Sequence, residues 1–184
     1  YGLTAEDVAA TVDRAVAYGL AGIGIEDTTG NPDAPIRDFD QAVERVRSAV
    51  NAAKRRIVVT ARTDNYLQGR PDLDDTIRRL TAFAEVGADV VYAPFPPDLA
   101  SLEAIVAAVA PTPVNVLISP ADQVLTVAEL QAAGVKRISL GPALYTNAMT
   151  ALEQAARALR AGDIASATAG IGFDRVGELL TRAS

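Results

Sequence analysis

The sequence predicts an α/β fold built on a parallel sheet, and three patterns along its 184 residues support this. Short apolar runs recur with enough chain between them for a helix. The intervening segments carry apolar residues at helical spacing, with charged residues on the other face. Glycines end several of these helices just before the next apolar run. This regular alternation is typical of right-handed βα units.

The elements follow in order as one helix and then five strand–helix repeats. The first helix starts at Thr4, which forms a capping-box pattern with Asp7, and Thr126 with Glu129 repeats that pattern at a later helix. Five runs are predicted as strands, at Gly22 to Glu26, Ile57 to Ala61, Asp89 to Ala93, Pro113 to Leu117 and Lys136 to Leu140. A helix-ending glycine precedes three of them, at Gly19, Gly87 and Gly134.

The helices between the strands are defined by apolar stripes. Three stripes have i, i+3, i+4 spacing, made by Phe39, Ala42, Val43, Val46, Ala49 and Val50, by Leu73, Ile77, Leu80 and Ala84, and by Leu99, Leu102, Ile105 and Val109. An alanine-rich helix from Ala143 to Arg160 follows the last strand. No linker or low-complexity segment interrupts the pattern, so residues 1–184 are expected to form a single domain.

Five βα units are compatible with an open doubly wound sheet or with most of an eight-stranded barrel. An open nucleotide-binding sheet would show a glycine-rich phosphate loop after its first strand, and Thr28 to Pro32 has no such pattern. The chain also enters a helix directly after Tyr1 and Gly2. We therefore expect a (β/α)8 TIM barrel that is missing its first strands.

Composition excludes several classes of function. The net charge of −6 argues against a nucleic acid partner, and no apolar stretch approaches the length of a membrane span, so a cytoplasmic location is expected. The chain has no Cys, His or Trp, which rules out disulfides, thiolate nucleophiles and histidine bases within it. Its two lysines, Lys54 and Lys136, precede strands, at the wrong end for a Schiff-base aldolase.

Charged residues end the first two strands, where parallel α/β proteins place their active sites. Glu26 and Asp27 are adjacent and point to opposite sides, so only one can face a barrel mouth. If Gly22 and Gly24 point inward, Glu26 does too, as a direct or water-bridged ligand to a hard cation such as Mg²⁺. The alternative is a pair of acidic residues that stabilises the loop.

Arg62 and Asp64 share one side just beyond the second strand. The Arg62 guanidinium can bind a carboxylate or phosphonate through two parallel hydrogen bonds and stabilise developing negative charge. Asp64 can orient Arg62 or join the outer shell of a metal. Both are therefore candidate catalytic residues, and a structural ion pair is the alternative.

Weaker signals come from a long loop and three polar or turn positions. The connection from Thr28 to Asp38 is longer than the usual βα loop of about 2–6 residues and is a candidate lid, with an ordinary surface loop as the alternative. Asn115 and Ser119 lie in and after the fourth strand, and Gly141 ends the fifth strand before Pro142, where a helix N-terminus can offer N–H groups to an anion. All three are candidate substrate-binding residues.

These segments resemble the isocitrate lyase and phosphoenolpyruvate mutase superfamily. The matching segments are Gly22 to Asp27, Ala61 to Asp64, Pro113 to Leu117 and Gly134 to Gly141, which are similar to strands four, five, seven and eight of its smaller members. The resemblance therefore implies that residues 1–184 are the C-terminal two thirds of the TIM barrel, strands four to eight with their helices. The resemblance implies a Mg²⁺-dependent enzyme, with Mn²⁺ as an alternative ion. It would break a C–C or P–C bond of a small 2-oxo or 2-hydroxy acid through an enolate.

The resemblance also implies roles for individual residues. Glu26 takes the role of the metal-shell glutamate and Arg62 that of the substrate arginine, and the aspartate metal ligands are expected upstream of Tyr1. The loop from Thr28 to Pro35 lacks the Lys-x-Cys-Gly-His pattern of isocitrate and methylisocitrate lyases, which makes these two activities poor matches. The better match is with the short members that resemble oxaloacetate decarboxylases and phosphonopyruvate-processing enzymes.

Three functions therefore remain open. The first is a decarboxylase-like carbon–carbon lyase, the second is a phosphonopyruvate hydrolase or mutase, and the third is a non-catalytic barrel that only binds a dicarboxylate. The expected partners are a small carboxylate substrate and further copies of the chain, in a dimer or tetramer that exchanges the C-terminal helix as family members do. The alternative is that the helix from Ala143 to Arg160 packs on its own barrel.

Overall fold

The parallel sheet predicted from the sequence is present in the computed structural model, which describes residues 2–118 and 125–181. Five strands pair in chain order, and every pair is parallel. The strands are β1 Gly22–Glu26, β2 Val58–Arg62, β3 Val90–Tyr92, β4 Val114–Leu117 and β5 Arg137–Ser139. Each lies within one residue of its predicted ends. The parallel α/β class is therefore confirmed, and this strand order is that of consecutive βα units in a barrel.

Helices fill the connections as the apolar stripes predict. They are α1 Ala5–Ala17, α2 Phe39–Ala53, α3 Leu73–Glu85, α4 Leu99–Val109, α5 Val127–Ala132, α6 Ala143–Arg160, α7 Ile164–Ala167 and α8 Phe173–Thr181. Both predicted capping boxes form: the Thr4 hydroxyl accepts from Asp7 N–H at the start of α1, and Thr126 accepts from Glu129 N–H at the start of α5. Side chains of this kind satisfy amide groups that a helix leaves unpaired.

The hydrophobic core lies between the sheet and the helices α1 to α5. Strand residues that alternate with the polar ones are almost fully buried there, including Ile25, Val59, Ala61, Val91 and Val116. They pack in one cluster with helix residues such as Val12, Val46, Leu80, Phe83 and Ile105. The opposite face of the sheet carries the polar side chains. The period of two along each strand thus separates the core from the candidate site.

Two glycines allow helices to approach each other closely at the ends of βα units. Gly87 and Gly134 have φ of 99° and 86°, in the region that favours glycine. A Cβ atom at Gly87 would lie 3.2 Å from Val50 Cγ1, and one at Gly134 would lie 2.9 Å from Val106 Cγ1. A side chain at either position would therefore combine backbone strain with a steric conflict.

The chain divides into two compact units, Tyr1–Leu140 and Gly141–Ser184. The first contains the sheet and helices α1 to α5, and the second contains α6, α7 and α8. No residue of these three helices is buried. In the ranges that the structure describes, no helix is both long and apolar enough to cross a membrane.

Candidate active site

A single row of register-paired residues crosses all five strands of the first unit. Glu26 pairs with Arg62, Arg62 with Tyr92, Tyr92 with Asn115, and Asn115 with Arg137. The row starts at the carboxyl ends of β1 to β3 and reaches the first residue of β5, because strands in a barrel are staggered. Every member carries a polar group. We call these five residues the polar row.

The polar row borders a cavity of about 470 Å³ on the inner face of the sheet. Four of its members line the cavity, namely Glu26, Arg62, Tyr92 and Arg137, together with residues that include Gly22, Gly24 and Thr60. A Cβ atom at Gly24 would meet nothing within 4 Å, so β1 leaves room beside Glu26. The expected inward orientation of Glu26 is therefore what the structure shows.

Arg62 is held by two carboxylates and an aromatic ring. Its Nε donates to Asp64 Oδ1 at 2.5 Å, and its Nη1 donates to Glu26 Oε1 at 3.2 Å. Its guanidinium carbon lies 5.5 Å from the centroid of the Tyr92 ring. Burial acts to lower the pKa of Arg62, but the hydrogen bond and charge of Asp64 and the charge of Glu26 raise it. Arg62 is therefore a fixed cation whose side chain remains 23% exposed.

Asp64 is the buried partner of this pair. Its side chain is 1% exposed, and its Oδ2 atom is buried without a hydrogen-bond partner among residues 2–118 and 125–181. Burial raises the pKa of Asp64, although the hydrogen bond and charge of Arg62 oppose that rise. The predicted placement of Asp64 beside Arg62 agrees with the structure. Its geometry suits a residue that orients the guanidinium.

Asp27 points away from the cavity and joins the strands to α3. Its carboxylate accepts hydrogen bonds from Thr63 Oγ1 at 2.7 Å, from Asp64 N–H at 2.9 Å and from Arg79 Nη1 at 3.3 Å. Burial raises the pKa of Asp27, and these hydrogen bonds oppose the rise. The two adjacent carboxylates thus have different surroundings. Glu26 faces the cavity, and Asp27 fixes the segment after β2 that contains Asp64.

Asn115 lies at the centre of a second network in the barrel interior. Its Oδ1 accepts from Arg137 Nε at 2.8 Å, and its Nδ2 donates to Ser139 Oγ at 3.0 Å. Arg137 Nη1 also donates to Thr60 Oγ1 at 3.2 Å. Asn115 therefore hydrogen-bonds to its neighbouring strand, and its role in substrate binding stays a prediction. Arg137 also lines the inner cavity, so this network extends to the cavity wall.

Neither Arg137 nor Tyr92 is among the site residues that the sequence predicts. The signal for Arg137 is its alternation with Ser139 in β5, which places two polar residues on one side of a predicted strand. Tyr92 ends β3 and is 9% exposed, so it both packs and lines the cavity. Burial raises the pKa of its phenol.

Two other predicted site residues, Ser119 and Gly141, are not tested by the structure of the first unit. Ser119 lies outside the described residues. Gly141 has φ of 52° and begins the second unit, which is described by itself. Pro142 precedes α6 as its N-cap residue and makes no side-chain cap. Their roles as substrate-binding residues stay predictions.

The connection between β1 and α2 is folded back on itself. Thr28 and Ile36 form an antiparallel bridge, and Thr29 N–H donates to Pro35 O at 2.8 Å. At its base, Arg37 N–H donates to Asp27 O at 2.8 Å. The loop is therefore a closed hairpin-like structure with glycine and proline near its tip. Its role as a lid stays a prediction.

The described residues do not complete a metal site. They contain no group of three or more His, Cys, Asp or Glu side chains that could hold a metal ion. Among the residues that line the inner cavity, Glu26 is the acidic one, and its Oε1 accepts from Arg62. A divalent ion bound there would need further donors, since Mg²⁺ takes six oxygen ligands in octahedral geometry.

A hydrogen-bond network centred on Asp75 of α3 predicts how the free energy of unfolding depends on pH. Asp75 accepts from Arg79 Nε at 2.7 Å, from Arg78 Nη2 at 2.5 Å and from Asn65 Nδ2 at 2.9 Å. Burial acts to raise the pKa of Asp75, but these hydrogen bonds lower it well below its ordinary value of 3.8. The ionised carboxylate therefore stabilises the fold above about pH 4, and this contribution is lost as the pH falls toward the folded-state pKa.

We expect Asp75→Asn to lower the free energy of unfolding most at neutral pH and progressively less below about pH 4. Urea unfolding at several pH values measures this difference. Asp74→Asn makes the same charge change on α3 at an exposed residue and serves as the control. A stability difference for Asp75→Asn that is constant from about pH 7 to pH 3 would contradict the expectation.

The chain is similar in sequence and in structure to several known proteins. A sequence model described as phosphoenolpyruvate phosphomutase matches residues 1–160. A Burkholderia cenocepacia J2315 protein assigned as a lyase/mutase is 40% identical over 98% of this chain and 66% of its own, with a TM-score of 0.92. Oxaloacetate acetylhydrolase in complex with oxalate is 29% identical with a TM-score of 0.83, over 97% of this chain and 63% of its own.

A curated relative supports the same grouping. Oxaloacetate decarboxylase from Paraburkholderia xenovorans LB400 is 32% identical over 162 residues, which cover 83% of this chain and 51% of the relative. The chain thus spans about half to two thirds of the length of the proteins it resembles. The predicted resemblance to the isocitrate lyase and phosphoenolpyruvate mutase superfamily is confirmed.

Proposed function

The chain belongs to the phosphoenolpyruvate phosphomutase family, and on that premise we propose that its protein is a carbon–carbon lyase of the decarboxylase type. The proposed substrate is a small 2-oxo or 2-hydroxy carboxylic acid, and the proposed intermediate is an enolate. Relatives of this chain include an oxaloacetate decarboxylase and an oxaloacetate acetylhydrolase. Both names describe enzymes that act on a 2-oxo dicarboxylate.

The observation that carries the proposal is the fixed guanidinium of Arg62 at the edge of the inner cavity. Asp64 occupies Nε and Glu26 contacts Nη1, while the side chain stays partly exposed. A substrate carboxylate can therefore bind the free N–H groups of a cation that is already oriented. This arrangement needs little reorganisation when the substrate binds.

In the proposed reaction of a 2-oxo acid, the bond between the leaving carboxylate and the carbon next to the 2-oxo group breaks, and its electron pair forms the enolate as CO₂ departs. A proton from solvent on that carbon then gives the product acid. Arg62 opposes the negative charge that develops, which lowers the barrier because its position is fixed before reaction. Asp64 keeps the guanidinium in place. Tyr92 covers one side of Arg62 and limits access of water to that side.

Dependence on Mg²⁺, or on Mn²⁺, is part of the proposal. Glu26 is the proposed ligand from this chain, bound directly or through water, and the other ligands would come from outside the described residues. A divalent ion would polarise the 2-oxo group of the substrate. The roles given above to Arg62, Asp64 and Tyr92 do not depend on it.

The second candidate function is hydrolysis or mutation of phosphonopyruvate. It is favoured by the match of residues 1–160 to the phosphomutase model and by a β1–α2 loop that contains neither Cys nor Lys. The bidentate geometry of Arg62 suits phosphonate oxygens as well as carboxylate oxygens. The third candidate is a non-catalytic barrel that only binds a dicarboxylate.

Assays of the full-length protein with Mg²⁺ distinguish these functions. Turnover of oxaloacetate to pyruvate and CO₂ supports the lyase, and release of phosphate or rearrangement of phosphonopyruvate supports the second candidate. 2-Methylisocitrate serves as the comparison substrate and is expected to react poorly. Saturable binding of oxalate without turnover of any of the three acids would contradict both enzymatic proposals.

We also propose that the protein associates with copies of itself through α6, as a dimer or tetramer. Within the second unit, α6 exposes large apolar side chains, with Leu144, Tyr145 and Leu152 at 72%, 66% and 61% exposure. Exposed apolar residues on one helix are typical of an interface. Sedimentation of the full-length protein tests this, since a monomer at micromolar concentration would contradict it.

A further inference from the structure

Thr63 lies between the two candidate catalytic residues Arg62 and Asp64, and it is not among the site residues that the sequence predicts. It is completely buried, with 0% of its surface exposed. The alternation that places Arg62 and Asp64 on one side directs Thr63 to the other side, away from the inner cavity. There its hydroxyl donates to Asp27 Oδ2 at 2.7 Å. The Thr63 side chain is therefore bonded to the residue that follows β1 and not to the cavity.

The backbone around Thr63 is hydrogen-bonded to both neighbouring strand ends. Thr63 N–H donates to Tyr92 O at 3.1 Å, at the end of β3. On the side of β1, Asp27 N–H donates to Arg62 O at 3.2 Å, and Asp64 N–H donates to Asp27 Oδ1 at 2.9 Å. Three consecutive residues are thus tied to β3 on one side and to Asp27 on the other.

The Asp27 carboxylate is also held from the side of α3. Its Oδ2 accepts from Arg79 Nη1 at 3.3 Å, in addition to the bond from Thr63. Arg79 is buried, and its Nε donates to Asp75 at 2.7 Å, so its guanidinium is fixed in turn. Both oxygens of Asp27 are therefore engaged by buried donors, and Thr63 supplies the shorter of the two bonds to Oδ2.

The orientation of Asp27 is transmitted to the cavity through Asp64. Asp27 Oδ1 accepts from Asp64 N–H, and Asp64 Oδ1 accepts from Arg62 Nε at 2.5 Å. If the Thr63 hydroxyl is removed, Asp27 Oδ2 retains the longer bond to Arg79, and the carboxylate can turn toward α3. Its Oδ1 then no longer lines up with Asp64 N–H. A misplacement of about 1 Å at a positioned group can lower a rate by about 10².

We propose that Thr63 is a positioning residue for Arg62 that acts through Asp27 and Asp64 and does not touch the substrate. Its hydroxyl fixes the Asp27 carboxylate, the carboxylate fixes the backbone of Asp64, and the Asp64 side chain fixes the guanidinium. A preorganised charged group keeps its geometry only when the residues around it are themselves held by packing and hydrogen bonds. This inference rests on the function proposed above, in which Arg62 binds a carboxylate of the substrate.

Isothermal titration of the full-length protein with oxalate, in the presence of Mg²⁺, tests the proposal through a double-mutant cycle. Thr63→Val keeps the branched shape and removes the hydroxyl, and Arg62→Lys keeps a cation but loses the paired N–H geometry. Thr63→Val is expected to weaken oxalate binding by about tenfold in the native background and by less than about twofold in Arg62→Lys, because residues that act through one another are not additive. Oxalate binding needs no turnover. Failure of the protein to react with oxaloacetate, phosphonopyruvate and 2-methylisocitrate would therefore contradict the lyase, while the cycle still tests Thr63.

Thr63→Ser keeps a hydroxyl and is expected to bind oxalate within about threefold of the native affinity. Ser48→Ala is the matched control, because it removes a hydroxyl that donates to Ala5 O at 2.6 Å between α2 and α1, and it should leave the affinity unchanged. Circular dichroism verifies folding, and Thr63→Ala replaces Thr63→Val if the latter does not fold. Equal weakening by Thr63→Val in both backgrounds, native affinity in Thr63→Val, a Thr63→Ser variant as weak as Thr63→Val, or no saturable oxalate binding by the native protein would overturn the proposal.

Discussion

Arg62→Ala is expected to lower kcat/KM for the reactive acid by about 10²–10³, the effect typical of removing one preorganised charge-stabilising donor. The loss should fall on both kcat and KM, because Arg62 is proposed to bind the ground-state carboxylate and to oppose the charge of the enolate. Steady-state kinetics of the full-length protein, with Mg²⁺ and the acid that is turned over, measures it.

Arg62→Lys separates charge from geometry in the same experiment. Lysine keeps the cation but cannot hold Asp64 and bind a carboxylate with two parallel N–H groups, so most of the loss should remain. Arg47→Ala, on an exposed helix position paired with Glu44, is the control and should retain native kinetics. Full activity in Arg62→Ala would remove Arg62 from the proposed mechanism.

Asp27→Ala is expected to give the largest loss of stability, about 3–5 kcal/mol in the free energy of unfolding. The substitution leaves Arg79 in a buried position without one of its two carboxylates and removes the acceptor for Thr63 Oγ1 and Asp64 N–H. Because Arg79 keeps its ion pair with Asp75, the loss of stability is expected to lie toward the lower end of this range. Urea unfolding followed by circular dichroism measures it.

Glu44→Ala provides the matched comparison for Asp27→Ala. It breaks an ion pair with Arg47 in which both side chains are about half exposed, so a change of only about 0–1 kcal/mol is expected. Asp27→Asn keeps the shape of the side chain and should have an intermediate effect. Equal stability changes for Asp27→Ala and Glu44→Ala would show that the buried network does not stabilise the fold.

The sequence was sufficient to predict the strands and the orientation of the first two strand ends. Period-two alternation made Glu26 and Asp27 face opposite sides, and the structure places Glu26 on the cavity and Asp27 against α3. The same rule placed Arg62 and Asp64 together. These predictions succeeded because they depend on the covalent geometry of one strand, without knowledge of its neighbours.

Contacts between elements that are distant in the sequence could not be predicted from the alternation within one strand. Arg137 reaches Thr60 and Asn115, and this contact depends on the stagger among β2, β4 and β5, which one sequence does not specify. Arg79 likewise reaches Asp27 across 52 positions of sequence. Its i, i+4 contact with Asp75 can be read from the sequence, but its buried contact with β1 cannot.

The polar row has a consequence for how such a protein can diversify. Each of its five members comes from a different strand, and the backbone hydrogen bonds of the sheet are made by main-chain atoms that every residue type except proline supplies. Replacement of Tyr92 or Arg137, which line the cavity, can therefore alter what the cavity recognises while the ladder between the strands is kept. The side chains that face the cavity can thus change independently of the backbone framework that holds them in place.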